Sequence, residues 1–346
     1  MQIIFTFFIF CLVLFLYLHI QYHLKTSDDL EIYELEDETS KEKLEEILNI
    51  RQPVLLPVIS TQHKKILDTT NRTFLSTNYP AFEMKVRNCK EIEPDTEMFI
   101  PLPLHSTLKL VDNDSSASYF SENNMEFLQE TGVVKHIQYN DEMMRPPMVS
   151  NCNYDVLFGS EGCITPFRYE INYRNFFLVT EGSIQIKLTP PKSSKYLYLE
   201  KDYENFEFRS PVNPWSPQVK FQADFDKIKC LDIKLQKGQM ICIPSYWWYS
   251  IRFGKQTSIT CMRYRTYMNN IAIIPYVCMY ALQIHNVKRE ISKKVNTETK
   301  NIKKSGSSEK TTGKKIKEKI NEKIKENIKE NINENIENTT TKLDDL

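Results

Sequence analysis

The sequence predicts a mainly β fold, a sandwich or barrel of many short strands, behind one N-terminal membrane-spanning helix. Between residues 49 and 265, short apolar or alternating runs are separated by Pro, Asn, Asp and Ser. Alternation with a period of two is clearest in "SIQIKL" (183–188), where Ile184, Ile186 and Leu188 alternate with polar residues. Many short strands with turn residues between them are typical of sandwiches and barrels. The two ends of the sequence are different: an apolar run opens it, and a polar, repetitive segment closes it.

The N-terminal stretch "IIFTFFIFCLVLFLYLHI" (3–20) is almost entirely apolar. At a rise of about 1.5 Å per residue, a helix of this length just crosses a hydrocarbon core of about 30 Å. A cleaved signal peptide is the alternative, but it would have a basic start and small residues before the cut, where this chain has Tyr17 and Tyr22. We therefore predict an uncleaved, single-pass membrane anchor over residues 1–22. Lys25 follows the span and no Lys or Arg precedes it, so we expect the body in the cytosol.

The next segment, 23–48, is charged and compatible with a helix that carries Leu44 and Ile47 near one face. We predict a solvated stalk there, because charged residues dominate. The β domain is expected over residues 49–268, with one helix near "SENNMEFLQET" (121–131).

Two further segments follow the β domain. Residues 269–292 read as a helical pair broken at Pro275, and the broad apolar face fits either core packing or a homodimer contact. Residues 293–346 are polar and place Ile at every fourth position in "KKIKEKINEKIKENIKENINENIEN". A step of four residues advances about 400° against 360° per turn, so the Ile stripe winds around a helix and forms no seam. We predict a low-complexity tail that buries little surface.

Composition and charge argue against several functions. The 346 residues include 45 Lys and Arg against 45 Asp and Glu, so no basic field attracts nucleic acid. The 8 glycines form neither GxGxxG nor GxxxxGK(S/T), which argues against a phosphate-cradling loop. The 8 cysteines form no CxxC pair, so a zinc finger is not expected. Because they show no disulfide-framework spacing, we expect reduced thiols, in keeping with a cytosolic body.

Three groups of residues carry a family resemblance. They are "GSEGCITPFRYEINYRNFFLVTEGSIQIKLTPP" (159–191), "NPWSP" (213–217) and "KGQMICIPSYWWYSIRF" (237–253). With these motifs, the sequence resembles the cupin-like, JmjC-type 2-oxoglutarate oxygenases over about residues 50–265. That group includes the protein asparaginyl hydroxylases. The resemblance implies a double-stranded β-helix, a jelly roll of about eight core strands, with flanking helices.

The resemblance also implies an Fe(II) site built from two histidines and one carboxylate. In the family, the first histidine and the carboxylate are two residues apart on one strand, so both face the barrel interior. The matching positions here hold Arg168 and Glu170, and the position of the distal histidine holds Tyr249. Arginine has no free lone pair at neutral pH, and a neutral tyrosine is a poor ligand for Fe(II). None of the 6 histidines lies between residues 137 and 284.

We therefore predict a metal-free polar cluster at the former metal site, with neither Fe(II) nor 2-oxoglutarate as cofactor. A buried carboxylate without a cation is costly, so Arg168 is expected to pair with Glu170, and Tyr249 to add a hydrogen bond. The alternative is that Arg168 and Glu170 form an ordinary charged surface. A rescue of the metal site by His105 or His136 would need a rearranged site.

A pocket beside this cluster is the second prediction. The family grips the co-substrate carboxylate with a basic residue, and the aligned position here is Ile184, with Lys187 nearby. Consecutive tryptophans at 247 and 248 should face opposite sides of a strand, one in the core and one near a rim. The predicted pocket residues are Thr165, Tyr169, Asn175, Ile184, Lys187, Trp215, Tyr246 and Trp247. Core packing of the same aromatic residues is the alternative.

Two classes of function remain open. The first is a membrane-anchored, metal-free cupin-like protein that binds a protein or small-molecule ligand or has a structural role. The second is an Fe(II)/2-oxoglutarate-dependent protein hydroxylase with an unconventional site. The loss of metal ligands favours the first. A JmjC-type histone demethylase is a weaker interpretation, because the membrane span and the balanced charge count against it.

Overall fold

A computed structural model describes residues 2–35, 40–57, 61–90 and 99–288. Its helices are α1 (Gln2–Leu24), α2 (Lys41–Leu48), α3 (Thr61–Thr70), α4 (Arg72–Asn78), α5 (Leu104–Asn113), α6 (Met125–Glu130), α7 (Val133–Asn140), α8 (Val219–Phe225), α9 (Tyr267–Ala272) and α10 (Ile274–Lys288). The strands are β1 (Tyr33–Glu34), β2 (Val54–Pro57), β3 (Glu83–Asn88), β4 (Ile100–Pro103), β5 (Tyr119–Ser121), β6 (Val149–Gly159), β7 (Phe167–Tyr169), β8 (Arg174–Glu181), β9 (Ser183–Thr189), β10 (Glu200–Asp202), β11 (Glu207–Ser210), β12 (Leu231–Gln236), β13 (Gln239–Pro244), β14 (Trp248–Phe253) and β15 (Thr257–Thr266).

The strands form two sheets, which confirms the mainly β prediction. One sheet has nine strands in the order β1-β2-β13-β8-β15-β6-β5-β3-β4, and the other has six in the order β10-β11-β7-β14-β9-β12. β1 and β2 pair in parallel, and the other described pairs are antiparallel. Neighbours distant in sequence, such as β8 beside both β13 and β15, reflect the crossed connections of a jelly roll.

The main core lies between the two sheets. The alternating residues Ile184, Ile186 and Leu188 of β9 belong to one buried cluster with Phe177 and Val179 of β8. The intervening β8 residues point to the opposite face of the nine-stranded sheet, where helices cover them. Because both faces of β8 are buried, its sequence reads as a continuous apolar run instead of an alternating one.

The segment that precedes the β domain packs against it, so the predicted solvated stalk is wrong for residues 40–48. Leu44 and Leu48, on one face of α2, are buried in the helix-covered core. Glu45 forms a paired contact with Arg174 of β8, with oxygen–nitrogen distances of 2.7 and 2.5 Å. The other charged residues, such as Glu42, Lys43 and Glu46, are exposed, and their number made the segment read as solvated although Leu44 and Leu48 form an apolar face.

Helix α1 is long and apolar enough to cross a membrane, and among the described residues it is the one helix that meets both criteria. Length and composition fit either a membrane anchor or a signal sequence. Its last turn contacts the body: His23 is buried, and its Nε2 lies 3.1 Å from the Thr266 hydroxyl. The apolar part of α1 is exposed, as a segment bathed in lipid would be.

A helical pair is present at the predicted segment 269–292, but α9 begins two residues earlier, at Tyr267, and residues 289–292 lie outside the described part of the sequence. α9 and α10 meet at Ile273, and Pro275 lies in the first turn of α10, where its missing N–H has no helical partner to lose. The predicted helix near residues 121–131 is present as the shorter α6. On α10, Ile274, Val277 and Leu282 are exposed apolar residues.

Candidate functional site

Strands β7 and β14 bring together the three positions that the sequence predicts as counterparts of the family's metal ligands. Arg168 lies directly opposite Tyr249 in the antiparallel pair. Phe167 packs into an aromatic cluster on the outer face of β7, so its neighbour Arg168 points to the other face, where Arg168 and Glu170 line the interior cavity. The interpretation of Arg168 and Glu170 as an ordinary exposed surface therefore does not describe the structure.

Glu170 is held by a tyrosine, an asparagine and an arginine. The Tyr249 hydroxyl donates to Oε1 at 2.9 Å, and Asn172 Nδ2 donates to Oε2 at 3.2 Å. The cation beside this carboxylate is Arg263, whose Nε lies 3.3 Å from Oε1. The predicted pairing of Glu170 with Arg168 is therefore wrong. Ile259, Cys261 and Arg263 alternate along β15 and share its inward face. The cation that pairs with Glu170 therefore comes from the nine-stranded sheet, whereas Glu170 follows β7 of the six-stranded sheet.

Arg168 instead belongs to a buried network of two arginines and two glutamates. Its terminal nitrogens lie 2.5 and 3.2 Å from the carboxylate of Glu122 and 3.4 Å from Glu207 Oε1. Arg87 contacts the same two carboxylates, at 3.0 Å to Glu122 and 2.9 Å to Glu207. All four side chains are less than one-tenth exposed. Arg87, Glu122 and Glu207 were not predicted from the sequence, because they come from three separate segments that only the fold brings together.

The buried charges have defined protonation states. Burial disfavours the Glu122 carboxylate, but Arg168 and Arg87 outweigh it and lower the pKa of Glu122 to about 2. Burial raises the pKa of Tyr249 well above its usual value, and the neighbouring Glu170 acts in the same direction. At neutral pH Tyr249 is therefore a neutral phenol, and its hydroxyl donates a hydrogen bond to the Glu170 carboxylate.

The charged side chains of the network, together with Glu170 and Arg263, line a polar cavity of about 200 Å³. Its walls are formed by Arg87, Phe99, Glu122, Asn123, Asn151, Asn153, Arg168, Tyr169, Glu170, Asn172, Asn205, Phe206, Glu207, Arg263 and Arg265. Of the predicted pocket residues, Tyr169 lines this cavity. Asn175 does not line it but contacts a lining residue, since its Oδ1 accepts a hydrogen bond from Asn172 Nδ2 at 3.2 Å. Asparagine and arginine side chains dominate the lining, so the cavity suits a polar ligand with acceptor oxygens.

The other predicted pocket residues lie elsewhere. Ile184 is buried between the sheets, and so is Trp247, whose indole donates to the Arg51 carbonyl at 3.2 Å. Thr165 is used structurally, since its hydroxyl accepts from the Ile251 amide at 2.9 Å. Tyr246 lines a separate cavity beside the end of α1.

Trp215 and Lys187 lie on the outer face of the six-stranded sheet, because Lys187 alternates with the buried residues of β9. The Trp215 ring lies between two cations, 5.1 Å from Lys187 Nζ and 4.1 Å from the Arg252 guanidinium carbon. Its indole donates to the Ser250 hydroxyl at 3.0 Å. These contacts fix the loop at 213–217 to the sheet and are not part of the cavity. Trp248 is also fully buried, so neither tryptophan of the 247–248 pair lies at a rim.

The residues present do not fit an Fe(II) site of two histidines and one carboxylate. Arg168 has no lone pair to donate, Tyr249 is protonated, and Arg263 neutralises Glu170. Within the described residues, no three His, Cys, Asp or Glu side chains are grouped to hold a metal ion. His105 and His136 are exposed on α5 and α7 and do not line the cavity.

Comparison with known proteins identifies the family to which this fold belongs. The family model described as "Cupin-like domain" matches residues 35–269. The protein belongs to the cupin-like domain family. It is also similar to HSPB1-associated protein 1 of Mus musculus and Rattus norvegicus, at 28% identity over 94 residues, which is 27% of this sequence and 20% of each relative. The Homo sapiens protein of the same name is 28% identical, with 19% of its length covered. The alignment thus spans about a fifth of the length of these relatives. The match to the cupin-like family model begins at residue 35, upstream of the predicted domain boundary at residue 49.

Proposed function

We propose that this protein is a membrane-anchored cupin-like binding protein that works without Fe(II) and 2-oxoglutarate. The observation that carries the proposal is the state of Glu170. Its carboxylate already receives a hydrogen bond from Tyr249 and an ion pair from Arg263. A cation bound at Glu170 would have to displace Arg263, and it would find no second donor at position 168 or 249.

The rival function, an Fe(II)/2-oxoglutarate-dependent protein hydroxylase, draws support from family membership. Two sets of side chains argue against this function: those at the predicted metal-ligand positions and those at the position predicted to bind the co-substrate carboxylate. Ile184 is buried and uncharged, and Lys187 is on the outer face of its sheet, where its Nζ donates to the Pro214 carbonyl at 3.1 Å. Neither residue can grip a co-substrate carboxylate inside the barrel.

The ligand of the cavity is proposed to carry a carboxylate. Arg265 lines the cavity, and its Nε donates to Asn172 Oδ1 at 2.6 Å. Among the residues that the structure describes, Arg265 forms no ion pair with an acid, unlike Arg87, Arg168 and Arg263. A guanidinium with free terminal N–H groups binds a carboxylate through two parallel hydrogen bonds.

A protein is the favoured source of that carboxylate. The name HSPB1-associated protein 1 describes the relatives as associating with a protein. An acidic side group or the terminal carboxylate of a partner polypeptide would present the same chemistry as a small organic acid. The membrane anchor and the exposed apolar residues of α10 fit a protein that acts by assembly.

The test uses the full-length protein in detergent micelles, with thermal stability measured against small mono- and dicarboxylates and 2-oxoglutarate. Carboxylates should raise the melting temperature of wild type and have no effect on Arg265→Gln. The matched control Lys220→Gln removes a cation from α8, outside the cavity, and should respond as wild type does. Equal responses from wild type and Arg265→Gln would contradict the ligand assignment. Iron-dependent turnover of 2-oxoglutarate would establish the hydroxylase instead.

A further inference from the structure

Two cysteines from separate segments meet at the edge of the main core. Cys89 directly follows β3, and Cys163 lies in the loop between β6 and β7. Their Sγ atoms are 3.7 Å apart, although the two residues are 74 positions apart in sequence. Cys163 is fully buried, while Cys89 is only partly buried. The accessible sulfur therefore lies next to a shielded one.

The backbones of both cysteines are fixed in place. The Cys89 amide donates to the Ser118 carbonyl at 2.7 Å, and the Cys163 carbonyl accepts from the Phe253 amide at 2.9 Å. Closing the gap to a bond of about 2.05 Å requires the two sulfurs to approach by rotation about the Cα–Cβ bonds and small adjustments. Because residues 89 and 163 are far apart in sequence, this contact forms only when the protein is folded.

The two thiols are chemically unequal. The hydrogen bond from Cys163 lowers the pKa of Cys89 to about 7, although burial acts in the opposite direction. The same contact, together with burial, raises the pKa of Cys163. Cys89 therefore forms a thiolate more readily than an ordinary cysteine does, and Cys163 stays protonated beside it. An accessible thiolate next to a second cysteine is the arrangement found in thiols that react with peroxides.

We propose that Cys89 and Cys163 are a peroxide-reactive pair that closes to a disulfide. The Cys89 thiolate attacks one oxygen of hydrogen peroxide, the O–O bond breaks, and the departing hydroxide takes up a proton to form water. The resulting sulfenic acid is attacked by the sulfur of Cys163, the S–O bond breaks, and the proton of Cys163 leaves with the hydroxide as a second water. Two thiols are oxidised by two electrons, and one peroxide is reduced to two waters.

The new bond would join two walls of the polar cavity. Cys89 is two residues from Arg87, and Cys163 is five residues from Arg168, and these two arginines share the carboxylates of Glu122 and Glu207. A disulfide at this position fixes β3 to the loop that leads into β7. Oxidation should therefore stiffen the cavity and raise the melting temperature, because closing a long loop restricts the unfolded polypeptide.

The experiment treats full-length protein with a small molar excess of hydrogen peroxide and maps thiols and disulfides by mass spectrometry of non-reduced digests. The expected product is a linked pair of peptides containing Cys89 and Cys163, with a higher melting temperature that a reductant reverses. In Cys163→Ser, oxidation should stop at a sulfenic acid on Cys89, which dimedone traps. The control Cys152→Ser removes a partly buried thiol elsewhere and should keep the linked product.

Other outcomes would overturn the proposal. Wild-type protein in which Cys89 proceeds to sulfinic acid, or in which Cys89 and Cys163 stay reduced while other thiols oxidise, has no functioning pair. A linkage of Cys89 to any other cysteine has the same meaning. The wild-type map decides the question even where a cysteine variant fails to fold.

Discussion

Replacing Arg168 by alanine should destabilise the body by about 3 kcal/mol at pH 7.5. The substitution leaves the buried Glu122 with Arg87 as its one cation among the described residues, while Glu207 keeps Arg87 and the more distant Arg209, whose terminal nitrogen lies 3.6 Å away. Breaking a buried ion pair by removing one partner costs about 3–5 kcal/mol, and the remaining contacts of Arg87 favour the lower end of that range. The lowered pKa of Glu122 has the same origin, since the charges of Arg168 and Arg87 outweigh the cost of burying the carboxylate.

The effect of Arg168→Ala should depend on pH with a defined sign. The pKa of Glu122 is lower in the folded state than in the unfolded state, so its ion pairs stabilise the fold fully above pH 4.5. That contribution is lost as the pH falls from 4.5 toward 2. The difference in stability between wild type and Arg168→Ala should therefore be greatest at neutral pH and shrink at acidic pH.

The assay is urea unfolding of the full-length protein in detergent, followed by tryptophan fluorescence at several pH values. Lys85→Ala is the matched control, because it breaks an exposed pair with Glu126, and such pairs contribute about 0–1 kcal/mol. Adding Glu122→Gln to Arg168→Met removes both charges and should recover most of the lost stability. A loss for Arg168→Ala that is no larger than that of Lys85→Ala would refute the buried network.

Three further predictions concern topology, the tail and assembly. The body is predicted to be cytosolic, so deglycosylation of the protein from a eukaryotic host should not change its mobility, and a shift would place the body in the lumen. Asn71 in "NRT" and Asn113 in "NDS" match the N-glycosylation pattern, and Asn113 is the more informative site because the Asn71 side chain caps α4. Truncation after Ser292 should leave the melting temperature nearly unchanged, and a drop of many degrees would show that the tail contributes. A homodimer through residues 269–292 should cross-link at the exposed Cys278, and an uncross-linked monomer would contradict it.

The sequence predicted the β-rich fold and the N-terminal apolar helix because both depend on local patterns. Alternation in Ser183–Leu188 indicated a strand with one face in the core, and β9 has that arrangement. The prediction of a solvated stalk was wrong for residues 40–48. Charged residues outnumber apolar ones there, yet Leu44 and Leu48 lie on one face of α2 and are buried in the core.

The partners of the site residues could not be predicted in the same way. Glu122 is 46 residues from Arg168, and Arg263 reaches Glu170 from the opposite sheet, so both contacts depend on packing between elements. One signal was present but not used: the alternation of Ile259 and Cys261 on β15 continues to Arg263, which predicts that this arginine faces inward. The family motifs predicted that Arg168, Glu170 and Tyr249 lie close together, which the structure shows, whereas the charged residues around them could be identified only from the fold.

The central claim, that the former metal site is occupied by the protein's own side chains, is tested by metal titration. Calorimetry on full-length wild type with Ni(II), and with Fe(II) without oxygen, should show no stoichiometric binding. Arg168→His combined with Tyr249→His restores two histidines beside Glu170 and should gain Ni(II) affinity, and more so with Arg263→Gln added, which frees the carboxylate. Tight binding of one metal ion per protein molecule by the wild type would contradict the account and support the hydroxylase.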